Sequence, residues 1–203
     1  MSGLIRGVVL EGCSAAGKTS VLRALKAAQA ELGRERSVVV LAEHYSQALQ
    51  RNSDGHRRLS CDEHRTLLSA RLDALESLGE WAARAPCAPR ESAGVLFVLE
   101  RFHLNHRSSY PEDGAWSEAV EARLARLGAV CALLTVSPQR AAERVSTRVT
   151  AAELESATAA FLVEQEVLAR AAEASRLGTV RVCTDEQGWN RHAREILERL
   201  ERE

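Results

Sequence analysis

The segment Gly12-Cys13-Ser14-Ala15-Ala16-Gly17-Lys18-Thr19 matches the pattern G-x-x-x-x-G-K-[ST]. It follows a short apolar run, Ile5 to Leu10, that predicts a buried strand, and it opens a stretch with helical spacing, Lys18 to Leu32. Small residues in such a turn let backbone N–H groups point inward around a polyphosphate, and the start of the helix adds its positive end. The segment, here called the phosphate loop (residues 12–19), predicts phosphate contacts from Gly12, Ser14, Ala15, Ala16, Gly17, Lys18, Thr19 and Ser20.

Four further apolar runs after the phosphate loop predict four more strands: Ser37–Ala42, Gly94–Leu99, Ala129–Val136 and Thr179–Cys183. Helical stretches lie between and after them: Asp62–Arg84, Trp116–Leu127, Pro138–Arg148, Ala151–Arg176 and Trp189–Leu200. Strands that are apolar throughout and alternate with helices are typical of a parallel sheet covered on both faces. We therefore expect a single three-layer α/β domain over residues 1–203, with a five-stranded parallel sheet and helices on both faces.

The composition is that of a globular protein without a strong overall charge. The chain has 203 residues, of which 45% are hydrophobic and 27% charged, and its formal net charge is -1. This composition excludes a disordered chain, and the net charge close to zero argues against nucleic acid as a partner. No apolar run is long enough to cross a bilayer, and the N-terminus lacks the features of a secretory signal, so we expect a cytoplasmic protein without a membrane partner.

The cysteines and histidines do not predict a metal site from their spacing. The five cysteines are scattered without a CxxC pair, which supports neither a zinc knuckle nor a disulfide framework. His103 and His106 are three residues apart, but no third ligand is evident beside them. We expect His106 to line the substrate pocket instead.

Acidic residues follow two of the predicted strands. Glu43 comes directly after the second strand, and Glu100 with Arg101 follows the third. Because the carboxyl ends of parallel strands meet at one edge of a sheet, these side chains are expected beside the phosphate loop. Oxygen ligands suit Mg²⁺, so Thr19 and Glu100 are the candidate magnesium ligands.

Arginines repeat every four residues after the fourth strand, at Arg140, Arg144 and Arg148. This spacing places three guanidinium groups on one face of a helix. A solvated basic face is the ordinary explanation, but beside a phosphate loop the arginines are better suited to neutralise a transferring phosphoryl group. Arg144 and Arg148 are therefore candidate catalytic residues. Lys18 of the phosphate loop and Arg101 after the third strand are two more, because both are cations expected beside the phosphates.

From Glu11-Gly12 to the last helix, these motifs resemble the deoxynucleoside kinase and thymidylate kinase group of P-loop kinases. Glu43 stands where nucleoside kinases carry the carboxylate that deprotonates the substrate 5′-hydroxyl. Glu100-Arg101, with Arg107 six residues beyond, resembles their Glu-Arg-Ser motif and its downstream arginine. The resemblance implies that Glu43 is the catalytic base and that Glu100, Arg101 and Arg107 contact the substrate.

Two other segments extend the resemblance. Leu67 to Arg71 resembles the helical segment from which an arginine reaches the substrate, which implies a substrate contact for Arg71. Pro138, Arg144 and Arg148 resemble the start of a short lid over ATP, at about residues 138–153. The implied fold is the three-layer P-loop NTPase fold, and the family commonly dimerises through helices beside the sheet, so a homodimer is possible.

The expected function is transfer of the γ-phosphate of Mg-ATP to the 5′-hydroxyl of a nucleoside, with ATP and Mg²⁺ as cofactors. Two departures from the family pattern, His44 after Glu43 and Phe102 after Arg101, leave the small-molecule acceptor open. The alternatives are a nucleoside monophosphate kinase, a kinase of a non-nucleoside alcohol such as an antibiotic or metabolite, and a non-catalytic nucleotide-binding protein. No NKxD motif is present, which argues against a Ras-type GTPase.

Overall fold

The computed structural model describes residues 4–31, 36–42, 47–52, 55–84 and 94–202. In chain order the strands are β1 (Ile5–Glu11), β2 (Ser37–Leu41), β3 (Leu49–Asn52), β4 (Gly55–Arg58), β5 (Val95–Glu100), β6 (Ala129–Thr135) and β7 (Thr179–Cys183). The helices are α1 (Lys18–Glu31), α2 (Cys61–Arg84), α3 (His103–Ser109), α4 (Gly114–Arg126), α5 (Pro138–Ser146), α6 (Leu154–Glu173) and α7 (Trp189–Arg202).

Five strands form one parallel sheet in the order β2-β5-β1-β6-β7, and β3 pairs with β4 in a separate antiparallel ribbon. The central strand β1 lies in register with both neighbours near its carboxyl end, where Leu10 is opposite Glu100 and Glu11 is opposite Leu133. The phosphate loop therefore leaves the middle of the sheet at the same edge as the residues that follow β5 and β6.

Helices cover both faces of the sheet. Every residue of β5 is buried, and successive side chains of a strand point to opposite faces, so neither face is open to solvent. Helices α1 and α7 pack against each other beside β1, whereas α4 and α6 pack beside β6. The ring of Phe97 on β5 covers Gly7 on the neighbouring strand β1. A Cβ on Gly7 would lie 2.2 Å from this ring, so only glycine fits there.

The structure confirms the predicted α/β fold with a five-stranded parallel sheet. The ribbon β3–β4 was not predicted, because the polar stretch Asn52–Gly55 favours a loop and all of β4 is exposed. Helix α3 was not predicted either, since seven largely polar residues carry too little periodicity to indicate a helix. Helix α5 ends at Ser146 and α6 begins at Leu154, so turns occupy part of the region expected to form the lid. No helix among the described residues is both long and apolar enough to span a membrane.

Candidate functional site

The phosphate loop contains three residues with positive φ: Gly12 (139°), Ala15 (74°) and Gly17 (93°). Such a conformation turns successive backbone N–H groups toward one side, which is the geometry of an anion-binding concavity. Lys18 starts α1 and is buried, and its Nζ donates to the carbonyl oxygens of Gly12 and Cys13, both at 3.0 Å. The lysine ammonium is thus held inside the curve of the loop.

Contacts from the ends of β6 and β7 fix the loop in place. The Thr184 hydroxyl lies 3.0 Å from the carbonyl oxygen of Ala16 and 3.1 Å from that of Thr135. Trp189 covers the loop so closely that a Cβ on Gly17 would lie 2.7 Å from its ring. Burial raises the pKa of the Cys13 thiol to about 12, so this cysteine is a packing residue rather than a thiolate nucleophile.

Two of the three periodic arginines reach the phosphate loop. Arg148 donates from Nη1 to the Ser14 hydroxyl at 2.8 Å, which joins the turn after α5 directly to the loop. Arg144 donates to the carbonyl oxygen of Thr184 and lies 5.6 Å from the centroid of the Trp189 ring. Both arginines line a cavity of about 280 Å³ together with the loop. Arg140 instead pairs with Glu143 at 2.7 Å and is exposed.

A second cavity of about 250 Å³ lies on the other side of the loop, between α3 and α6. Its polar lining comes from Glu11, Arg101, Asn105, Glu164 and the two serines Ser108 and Ser109. Arg101 has a positive φ of 52°, and its guanidinium lies 3.5 Å from the Glu164 carboxylate. The lining of this second cavity includes Gly12 of the phosphate loop but neither Arg144 nor Arg148. We call this space the acceptor cavity, for the role that it has in the proposal below.

Glu11 holds the turn that carries Arg101. Its Oε1 atom accepts hydrogen bonds from the backbone N–H groups of Phe102 and Leu104, both at 2.9 Å. The residue before α3, Phe102, has no side chain that can cap the helix, so Glu11 supplies this acceptor from a different strand. The other oxygen of Glu11, Oε2, is buried and has no hydrogen-bond partner.

Burial changes the protonation of the groups around this turn. It raises the pKa of Glu11 to about 7, although the two backbone N–H groups and the charges of Arg101 and Lys18 act in the opposite direction. Burial and the nearby Arg107 lower the pKa of His103 to about 3. His103 Nδ1 lies 3.7 Å from Glu11 Oε1, but a neutral imidazole makes this contact a polar pair rather than a salt bridge at pH 7.

The two candidate magnesium ligands lie at the same edge of the sheet. Thr19 is exposed in the first turn of α1, and Glu100 ends β5 with only 4% of its surface exposed. Hydroxyl and carboxylate oxygens are the ligand types that Mg²⁺ prefers, so the residues present fit this ion.

Other predicted site residues lie away from the loop. His106 was expected to line the substrate pocket, but its side chain is fully buried, 3.1 Å from His64 Nδ1 and 2.9 Å from an oxygen of Asp113. Arg107 was expected to contact the substrate, but its guanidinium is bonded to the buried Glu121 of α4 at 2.8 Å. His106 and Arg107 thus contact protein side chains on neighbouring segments, and the local sequence does not indicate these partners.

The remaining predictions concern two further residues. Arg71 is half-buried on α2, and its substrate contact stays a prediction. Glu43, the predicted catalytic base, lies outside the described residues.

Sequence reasoning missed two residues of the site. Glu11 is recognisable only as a charged residue at the end of an apolar strand, and that signal does not reveal its bonds to the turn after β5. Trp189 cannot be singled out from the sequence, because nothing there separates it from Trp81 and Trp116. The structure places only Trp189 against the phosphate loop.

The parallel sheet, the loop leaving its central strand and the helix that begins at Lys18 together define a P-loop NTPase-like fold. No family model matches the chain, and no curated protein matches it. Among solved structures, the chain is similar to the YorR protein of Bacillus subtilis, whose structure is a complex with phosphorylated GDP. The two chains share 13% identity at a TM-score of 0.58, with 96% of this chain and 95% of that chain covered, a likeness that shows the fold.

Proposed function

We propose that this protein is a phosphotransferase that moves the γ-phosphate of Mg-ATP to the 5′-hydroxyl of a nucleoside. The observation that carries the proposal is the bond from Arg148 to Ser14, which brings a second cation to the rim of a loop that already holds Lys18. A loop that only binds a nucleotide can hold its phosphates with backbone N–H groups and a lysine, without arginines at its rim. Phosphoryl transfer does need them, because its catalysis rests on positioning and charge stabilisation.

Each residue has a role that follows from its position. The backbone of the loop and Lys18 would bind the β- and γ-phosphates, while Arg144 and Arg148 would stabilise the charge of the transferring group. Arg101, whose turn is fixed by Glu11, would orient the acceptor hydroxyl. Glu43 would accept its proton, a role that rests on the sequence.

A bound magnesium ion would supply positive charge that offsets the charge of the phosphates. The Thr19 hydroxyl and the Glu100 carboxylate are the oxygen ligands that this chain would provide. We expect Thr19 to bind the ion directly and Glu100 to act through water.

The similarity to the YorR protein supports the nucleotide-binding part of this proposal. That protein was solved with a phosphorylated guanine nucleotide, and its fold matches almost the whole length of this chain. The shared fold therefore supports nucleotide binding by the phosphate loop of this chain.

A second candidate is a kinase of a non-nucleoside alcohol, and the acceptor cavity favours it. The side chains that line this cavity, within the described residues, are carboxylates, an amide, hydroxyls, a guanidinium and two aliphatic groups. None of these is an aromatic ring on which a nucleobase could stack. Such a lining suits an acceptor rich in hydroxyl groups.

The test is ADP release from Mg-ATP in the presence of nucleosides, nucleoside monophosphates and hydroxylated non-nucleosides such as aminoglycosides. We expect a nucleoside to stimulate release and Lys18→Ala to abolish it. Lys26→Ala is the matched control, because it removes the chain's only other lysine from an exposed position on the same helix. Release stimulated only by a non-nucleoside would establish the second candidate, and ATP binding without stimulated release would leave a non-catalytic nucleotide-binding protein.

The Glu43→Gln variant distinguishes a hydroxyl acceptor from a phosphate acceptor. A hydroxyl acceptor needs a base, so this variant should lose at least about 100-fold in kcat, as expected when a general base is removed. A phosphate acceptor is already ionised and needs no base. Full activity of Glu43→Gln with a monophosphate would therefore contradict the proposed nucleoside kinase.

A further inference from the structure

Three side chains that commonly bind metals meet away from the phosphate loop. Cys61 is the first residue of α2, His106 lies on α3, and Asp113 directly precedes α4. One ligand atom from each, the Cys61 Sγ, a ring nitrogen of His106 and a carboxylate oxygen of Asp113, lies within 4.8 Å of the other two. His106 and Asp113 are buried, and Cys61 is half-buried.

Two of the three distances between these atoms are close to those of a tetrahedral zinc site, and the third is below 4.8 Å. Asp113 Oδ2 lies 2.9 Å from His106 Nε2 and 3.4 Å from Cys61 Sγ. Bond lengths of about 2.0 Å to nitrogen or oxygen and about 2.3 Å to sulfur place neighbouring zinc ligands roughly 3.3–3.5 Å apart. A metal would thus need movements of only a few tenths of an ångström along these two contacts.

His64 orients the imidazole of His106 for this role. Its Nδ1 atom lies 3.1 Å from His106 Nδ1, and this contact leaves His106 Nε2 directed at Asp113. A histidine that binds a metal usually donates its other ring N–H to an acceptor, which fixes the ring and its tautomer. His64 is fully buried and would be that acceptor.

Arg65 is the group that competes for Asp113, because its guanidinium donates to both carboxylate oxygens. A carboxylate offers about four lone pairs, two on each oxygen. Oδ2 can therefore bind a metal in place of its contact with His106 while it keeps the bond from Arg65 Nε at 2.6 Å, and Oδ1 keeps the bond from Arg65 Nη2. Arg65 would then act on the metal site as a hydrogen-bond donor to a ligating carboxylate, a common arrangement.

We propose that Cys61 Sγ, His106 Nε2 and Asp113 Oδ2 form a binding site for a thiophilic divalent metal of the zinc class, with water as the fourth ligand. Zinc accepts thiolate, imidazole and carboxylate ligands together, whereas Mg²⁺ and Ca²⁺ prefer oxygen alone. Binding converts the Cys61 thiol to a metal thiolate and releases its proton to solvent. The bound metal ties the start of α2 to α3 and to the start of α4.

The spacing of these ligands explains why the sequence does not show the site. Cys61 lies more than forty residues before His106, and the three ligands lie on α2, on α3 and directly before α4. No short sequence motif therefore contains all three. His103, the apparent partner of His106 in sequence, faces Glu11 instead. The site is independent of the proposed kinase activity.

The test is metal binding by the whole chain without nucleotide, with the affinity tag removed and the protein dialysed into metal-free buffer. Titration with Co²⁺ should give a thiolate-to-cobalt charge-transfer absorption that saturates at one equivalent, and Zn²⁺ should displace it. Cys61→Ser should abolish this absorption and weaken Zn²⁺ binding about 100-fold or more. His64→Gln should weaken it about 10- to 100-fold, as expected for a residue that orients a ligand.

Cys183→Ser is the matched control, because Cys183 is an exposed cysteine on β7 and its loss should leave the titration unchanged. Wild-type protein that takes up neither metal at micromolar concentration would overturn the proposal. So would a Cys61→Ser variant whose charge-transfer absorption equals that of the wild type. The wild-type titration decides the matter by itself, so a variant that fails to fold does not leave the site untested.

Discussion

Glu11 gives the protein a pH-dependent stability that a single substitution should remove. The carboxyl group is fully buried, and one of its oxygens has no hydrogen-bond partner, so ionisation at this position is unfavourable. Glu11→Gln keeps a carbonyl oxygen that can accept from the N–H groups of Phe102 and Leu104, but it cannot ionise. The comparison between wild type and variant therefore isolates the charge.

The sign and size follow from the pKa. Burial raises the pKa of Glu11 from 4.5 to about 7 in the folded state, so the folded protein binds this proton more tightly than the unfolded chain does. The resulting stabilisation is fully present below about pH 4.5 and is lost as the pH rises through about 7. A shift of this size corresponds to about 3 kcal/mol. Relative to Glu11→Gln, the wild type should lose about that much free energy of unfolding between pH 4.5 and 8.

Urea unfolding at a series of pH values between 4.5 and 8 measures this difference. His103 is neutral in both folded proteins over this range, so its contribution cancels in the comparison. Glu164→Gln is the matched control, because it removes an exposed carboxylate from the same cavity and should leave the pH dependence of the wild type unchanged. A difference between wild type and Glu11→Gln that stays constant with pH would refute the reasoning, since Glu11 would then be ionised throughout.

Three further predictions concern the loop, a buried ion pair and the quaternary structure. Gly17→Ala should destabilise the protein by about 1–3 kcal/mol in urea unfolding and weaken ATP binding, because the new Cβ meets the Trp189 ring at a positive φ. Arg107→Ala should lower the free energy of unfolding by about 3–5 kcal/mol, because it leaves Glu121 buried without the guanidinium. If the chain forms the homodimer that the family resemblance implies, sedimentation velocity should detect it, and Trp81→Glu should shift it to monomer because Trp81 is 64% exposed on α2.

Matched variants separate these effects from general damage. Gly55→Ala introduces a Cβ at a positive φ with no atom within 4 Å, so it should lose less stability than Gly17→Ala and bind ATP normally. Arg176→Ala breaks an exposed pair with Glu118 and should change stability by no more than about 1 kcal/mol. Equal losses from the two arginine variants would contradict the prediction for Arg107, and a monomer at every concentration would contradict the dimer.

The sequence predicts the phosphate loop and the sheet because their signals are local. Eight consecutive residues contain the loop pattern, and each strand of the sheet is a short, mostly apolar run. The ribbon β3–β4 has no such signal, because seven of its eight residues are polar or glycine and every residue of β4 is exposed. The pairing of β3 with β4 is therefore found in the structure and not predicted from the sequence.

The site is harder to predict, because its contacts join residues that are far apart in sequence. The bond from Arg148 to Ser14 spans 134 residues, and the bonds from Phe102 and Leu104 to Glu11 span 91 and 93. The sequence indicates which types of residue are present, but not which of two possible partners an arginine takes. Arg107 and Arg148 both follow predicted strands, yet one is bonded to a buried glutamate and the other reaches the loop.

The distribution of charge around the loop bears on which acceptor the proposed kinase would use. Arg144 and Arg148 line the first cavity, whereas the acceptor cavity is lined by the carboxyl groups of Glu11 and Glu164 and by Arg101. A monophosphate would bring up to two more negative charges into that cavity, where Arg101 already lies 3.5 Å from Glu164. A hydroxyl acceptor brings no charge and can donate its proton to a carboxylate. The electrostatics of the described residues therefore favour an alcohol over a phosphate as the group that receives the phosphoryl.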